Sequence, residues 1–165
     1  MNATTHPTEY EANNNQLKIK TIKAVYEIHV VQDEECNWIN RPYQTANDVV
    51  EMFKHLKCET KEYFIVLHLD AKNKLLCKDE VSVGSLTASI VSPREVMKSA
   101  LLSSAASIIL IHNHPSGDPT PSREDREITQ RLVDGAKLLG IRVLDHVIIG
   151  DDTHYSFADR GEIEY

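Results

Sequence analysis

With 165 residues, 41% hydrophobic and 26% charged, the chain has the size and composition of one compact domain with its own core. A net charge of -7 and a sequence pI near 5.6 lack the basic footprint of a protein that grips nucleic acid through many phosphates. Cys36, Cys58 and Cys77 stand far apart, which excludes a dense disulfide framework and a thiolate zinc knuckle and makes a reducing cytoplasm the simplest setting.

The opening "MNATTHPTEYEANNNQ" has neither the basic start nor the apolar core of a signal peptide, and residues 1–18 read as a flexible tail ahead of a single domain over 19–165. No stretch reaches the roughly 20 apolar residues of a membrane span. "AVYEIHVVQ" (24–32) is rich in β-branched residues and predicts a strand. Thr45 and Asp48 form a capping pair ahead of Val49, Val50, Phe53 and Leu56 at helical spacing, predicting a helix over about 45–57. "EYFIVLHLD" (62–70) and "KLLCKDEVSVGS" (74–85) flank a short turn and predict a β-hairpin. Ser92 as cap, Pro93 at the first helical position and Glu95 as the box partner predict a second helix over about 93–103.

"ASIILIH" (106–112) is a continuous apolar run of strand length, as expected of a central strand covered on both faces. After the bend "PSGDPTP", Ser122 opens a third helix with Ile128, Leu132, Ala136 and Leu139 on one face and Gly140 as its stop. "RVLDHVIIG" and "HYSFA" complete the chain as two paired strands. The order βαββαβαββ predicts a mixed α/β (α+β) domain with about three helices packed on a largely antiparallel sheet.

The chemistry concentrates in "HNHPSGDPTPSREDREIT" (112–129). On an extended segment residues i and i+2 project to the same side, so His112 and His114 can address one ion. The bend then returns the chain so that Asp125, in the first turn of the third helix, can supply a third ligand. Two imidazoles and a carboxylate suit Zn2+, one per chain, with the fourth tetrahedral position open to water, the arrangement of a catalytic rather than a structural site.

His-x-His followed after seven residues by Ser-x-x-Asp resembles the JAMM (MPN+) metallopeptidase signature. Together with "SPREVMKSAL" and "GIRVLDHVIIG", it closely resembles the RadC family over most of residues 22–161. The resemblance implies a JAMM/MPN-like, cytidine-deaminase-like fold, zinc held by His112, His114 and Asp125, and Ser122 donating a hydrogen bond to the carbonyl oxygen as it becomes an oxyanion. It further implies a glutamate general base at the start of the strand after the first helix. Glu62 occupies that place, with Glu80 in the hairpin as the second candidate. Longer RadC proteins carry an N-terminal helix-hairpin-helix region, which this sequence is expected to lack.

Each assignment has a plainer counterpart. Ser122 and Asp125 form S-x-x-D, a helix-capping pair in its own right, and Glu62 by position alone is a strand-end charge. Asp118 and Ser116 lie where Gly117, Pro119 and Pro121 shape a turn. His68 and His146 read as partnered core or sheet-face histidines, with a ligand-orienting role as the alternative, and Cys77 reads as a small buried apolar residue. The expected function is zinc-dependent hydrolysis of a peptide or isopeptide bond in a peptide or protein substrate. The alternative is a DNA-repair or recombination accessory factor, or a pseudoenzyme, that keeps the zinc site without proteolysis. The tripeptide "HNH" lacks the ββα setting of a histidine-metal nuclease, and the ligand pattern of zinc deaminases is absent.

Overall fold

A computed structural model describes residues 20–29, 41–84 and 91–163; the tail at 1–18, residues 30–32 of the predicted first strand, and Ser85 at the end of the hairpin lie outside them. Residues 24–29, the described part of that first strand, form no strand. Their β-branched composition favours a sheet surface, and none of the described strands pairs with them.

Helix α1 (Ala46–Met52) starts where the sequence places it, with the Asp48 carboxylate accepting the backbone N–H groups of Thr45 at 2.9 Å and Gln44 at 3.1 Å. It is shorter than expected. The backbone leaves helical geometry at Phe53 (φ -111°) and continues as a 3-10 helix over Lys54–Cys58, which keeps both Phe53 and Leu56 buried. Strands β1 (Glu62–Leu69) and β2 (Leu75–Gly84) form the expected hairpin, its turn tied by Asp70 Oδ1 to the N–H groups of Lys72 and Lys74. Helix α2 (Pro93–Leu102) begins at Pro93 as predicted. The Ser92 hydroxyl makes no capping bond, however, and the Glu95 carboxylate pairs with Lys98 one turn on.

Strand β3 (Ser107–Asn113) is buried throughout. Helix α3 (Arg123–Leu138) is capped by Ser122, buries Ile128, Leu132 and Ala136, and ends at Gly140, whose φ of 71° is the left-handed turn that glycine accepts freely. Leu139 does not join that buried face; it is the C-cap residue and is exposed. Strands β4 (Arg142–Ile149) and β5 (His154–Ser156) close the sheet.

The order is β2-β1-β3-β4-β5, with β3–β4 parallel and every other pair antiparallel. The parallel step follows from α3, the crossover that links β3 to β4. Apolar clusters cover both faces. Phe64, Val66, Ile108, Leu110 and Ile148 face α2 and α3, while Ile65, Leu67, Ile109, Ile111 and Val147 face α1. Burial of each such aliphatic side chain contributes about 1.5–3 kcal/mol, so the central strand is a rigid platform. Its carboxyl end meets the amino end of α3, the place where open α/β sheets set their ligand sites.

Candidate metal centre

His112, the penultimate residue of β3, lies on the α2/α3 face with Ile108 and Leu110. His114 follows two residues on, and its N–H donates to the carbonyl of Ile149 at 2.9 Å, which holds the chain against β4 past the end of the strand. The bend then docks on the turn after β4: Gly117 O accepts from Asp151 N at 3.0 Å. This approach requires glycine on both sides. A Cβ at Gly117 (φ 82°) would lie 2.3 Å from the Asp151 carboxylate, and one at Gly150 would lie 2.3 Å from Gly117 O.

The bend delivers Asp125 to the two histidines. Its Oδ1 lies 3.3 Å from His112 Nε2, its Oδ2 lies 3.4 Å from His114 Nε2, and the two Nε2 atoms are 3.0 Å apart. One ligand atom from each of the three residues falls within 4.8 Å of the others, so the group can hold a metal ion. The other side of His114 fixes its chemistry. Nδ1 sits 2.7 Å from the carbonyl oxygen of Asp118, which can only accept, so Nδ1 carries the hydrogen and, in the neutral ring, Nε2 turns its lone pair to the cluster. Three electron-pair donors pointing at one spot fit a cation.

Burial works against charge on Asp125, but its contacts with His112, His114 and Ser122 outweigh it and hold the carboxyl far below the ordinary carboxylate range, so it stays a carboxylate. Burial likewise opposes the His114 cation, yet Asp125 and the Asp118 carbonyl hold its pKa above the usual value, while burial, only partly offset by Asp125, pushes that of fully buried His112 down.

Ser122 is the cap that the sequence suggests: its N–H and hydroxyl donate to Asp125 Oδ2 at 2.7 and 2.6 Å, and its Oγ accepts from Asp125 N at 3.1 Å. The cap and the cluster are therefore one structure, since the bonds that start α3 also orient the carboxylate. Glu62 opens β1, and Phe64, two residues further and on the same face, pairs with His112. Its charge acts on both His112 and His114. Glu80 pairs with Ile65 beyond a register shift in the hairpin, and so falls on the α1 face. Asn113, between the two histidines, points to that face and accepts Tyr63 N at 2.8 Å while donating to Leu56 O and Lys61 O at 3.2 and 3.0 Å. The middle residue of "HNH" thus clamps the backbone on either side of Glu62, a role with no local sequence signal.

His146 is the other residue brought in by the fold. From β4, which lies beside β3, its Nε2 reaches His112 Nδ1 at 2.8 Å. His68 lies apart from this group, with Nδ1 2.8 Å from Ser103 Oγ and 3.3 Å from half-buried Cys77 Sγ. Burial lowers the His68 pKa and raises that of the Cys77 thiol.

Comparison with known proteins fits this architecture. The RadC-like JAB domain matches residues 43–162, which contain the strands and α-helices found among the described residues and the His112, His114 and Asp125 cluster. The chain belongs to the RadC-like JAB domain family. Its relatives include a UPF0758 protein of Methanosarcina mazei, 49% identical over 89% of this chain and 65% of its own length, and one of Methanosarcina acetivorans, 59% identical over 67% and 48%. A UPF0758 protein of Syntrophomonas wolfei is 44% identical over 99% of this chain and 71% of its own length. The chain spans about half to two-thirds of the length of the first of these curated relatives. Among the described residues of this RadC-like domain, no helix is long and apolar enough to cross a membrane.

Proposed function

We propose that this RadC-like domain is a zinc-dependent hydrolase of amide bonds, acting on a peptide or isopeptide bond of a peptide or protein in the cytoplasm. The observation that carries the reading is the convergence of His112 Nε2, His114 Nε2 and the Asp125 carboxylate, a three-ligand set that leaves one tetrahedral position for chemistry. Zn2+ bound there supplies a Lewis acid and lowers the pKa of a water molecule from about 15.7 toward about 7.

The chain's own residues supply the proton transfers. Glu62 takes a proton from the attacking water and later returns it to the amide nitrogen as the C–N bond breaks, so that acid and carboxylate forms alternate within one cycle. Ser122 turns its hydroxyl from Asp125 Oδ2 to the carbonyl oxygen as negative charge develops there. The Ser122 N–H, 2.7 Å from the same Oδ2, keeps the carboxylate oriented meanwhile. Nucleic acid fits this site poorly as substrate, because a net charge of -7 repels phosphates.

Elemental analysis of protein purified without chelator or affinity metal, wild type beside His114→Ala, tests the reading. About one zinc per chain in the wild type and none in the variant is expected. A wild type that stays metal-free after zinc is added back overturns it.

A further inference from the structure

We infer that His146 and Thr129 are positioning residues that fix the tautomer of His112, holding its hydrogen on Nδ1 and turning its Nε2 lone pair into the metal centre. The inference rests on the zinc reading above and extends it to two residues outside the ligand set.

The hydrogen-bond directions follow from one atom. Thr129 Oγ donates its only hydrogen to the Asp125 carbonyl at 2.6 Å, an oxygen that can only accept. Toward His146 Nδ1, also at 2.6 Å, Oγ must therefore accept, so His146 carries its hydrogen on Nδ1. Its Nε2 is then an acceptor, and His112 Nδ1, 2.8 Å away, must donate to it. The remaining lone pair of His112 lies on Nε2, facing Asp125 and His114.

The opposite direction would put a hydrogen on His112 Nε2, between His114 Nε2 at 3.0 Å and Asp125 Oδ1 at 3.3 Å, where it would occupy the ligating position. Water cannot correct the pattern from outside, since His112 and His146 are both fully buried. Nor can the His146 ring turn readily: it stacks on Phe157 with centroids 5.0 Å apart and meets Phe64 edge-on at 5.6 Å. The relay closes on itself. It starts at a ligand on β3, passes through β4 and α3, and ends on the backbone of the other ligand, Asp125, so it couples two ligands from different elements. Partners of this kind, holding the far nitrogen of a ligating histidine, are worth about 10–100-fold in metal affinity.

The test uses the full chain and two readouts: zinc affinity by competition with a chromophoric chelator, and imidazole 15N–1H correlation spectra of zinc-free protein. Thr129→Val keeps shape and removes the hydroxyl; Thr129→Ser restores it. Val is expected to weaken zinc binding about 10–100-fold, with Ser within about threefold of wild type. His146→Leu is expected to behave like Val, and His146→Gln, whose amide can accept from His112 and donate to Thr129, to recover part of the loss. Wild-type affinity in folded Thr129→Val and His146→Leu overturns the inference, as does a Ser variant as weak as Val. Should wild type bind no zinc, the zinc reading fails, and the spectra still decide the relay: hydrogen on His112 Nδ1 upholds it, hydrogen on Nε2 overturns it.

Discussion

Asp125 and Asp145 are both buried acids, 7% and 1% exposed, and the fold treats them in opposite ways. Asp145, on the α1 side of the sheet, is surrounded by neutral donors alone: Ser156 Oγ at 2.7 Å and Tyr43 OH at 3.2 Å on Oδ2, and the N–H groups of His146 and Ala158 at 2.7 and 3.0 Å on Oδ1. Burial prevails over these bonds and raises its pKa. Asp125 receives hydrogens from Ser122 and adjoins two imidazoles whose positive charge, when protonated, outweighs its burial, and its pKa falls. An acid fully satisfied by donors serves architecture, here tying β4, β5 and the segment before α1 together. An acid facing other electron-pair donors marks a place for a cation.

The largest effect separating the two acids is on metal. Asp125→Ala is expected to lose stoichiometric zinc, as is His112→Ala, whereas Asp145→Ala keeps it; elemental analysis of the three variants decides, and zinc retained in Asp125→Ala would break the contrast. Next in size is the rate. Glu62→Gln should retain zinc and lower amide hydrolysis about 10²–10⁴-fold, while Glu80→Gln, on the other face, stays at the wild-type rate. A dead Glu80→Gln beside an active Glu62→Gln would exchange their roles. On stability the order of the acids reverses: Asp145→Ala strands buried hydroxyl and N–H donors and should cost about 1–3 kcal/mol in denaturant melts. Asp125→Ala in zinc-free protein loses chiefly its part in the helix cap, about 1 kcal/mol.

The smallest effect is the pH dependence of those stabilities, measured without zinc. The folded pKa of Asp125 is depressed, so its contribution is present above the unfolded value of about 3.9 and is lost as pH falls from there toward the folded value. The folded pKa of Asp145 is raised, so its contribution is fully present below about 3.9 and is lost as pH rises through the folded value. The advantage of wild type over Asp125→Asn should therefore grow as pH rises from strongly acidic values, and its advantage over Asp145→Asn should shrink. Slopes of the same sign would show that the two environments do not differ as described.

Much of the centre was legible in the sequence because its parts are local. His-x-His places two rings on one side of an extended strand, and S-x-x-D is a cap whose partners lie within one helical turn; neither needs knowledge of a distant segment. Hydrophobic runs likewise marked the hairpin and the buried central strand, and cap residues marked the starts of the three described α-helices. What failed locally was decided by neighbours. The first helix gave way to a 3-10 turn because Phe53 and Leu56 are both drawn into the core, and residues 24–29 stayed out of the sheet despite their β-branched side chains.

Strand pairing settled the rest. A register shift between Phe64 and Ile65 puts Glu62 and Glu80 on opposite faces, a difference that composition cannot show because one extra residue reverses the side on which a strand residue points. The parallel pairing of β3 with β4 sets His146 beside His112 across 34 residues. Helix α3 then lays Thr129 over both, one turn beyond Asp125. Sequence determined which side chains can serve as ligands and their spacing, since those depend on backbone periodicity over a few residues. Only tertiary structure decided which glutamate shares their face and which buried histidine touches His112, because sheet register and helix docking are set by contacts between segments far apart in the chain.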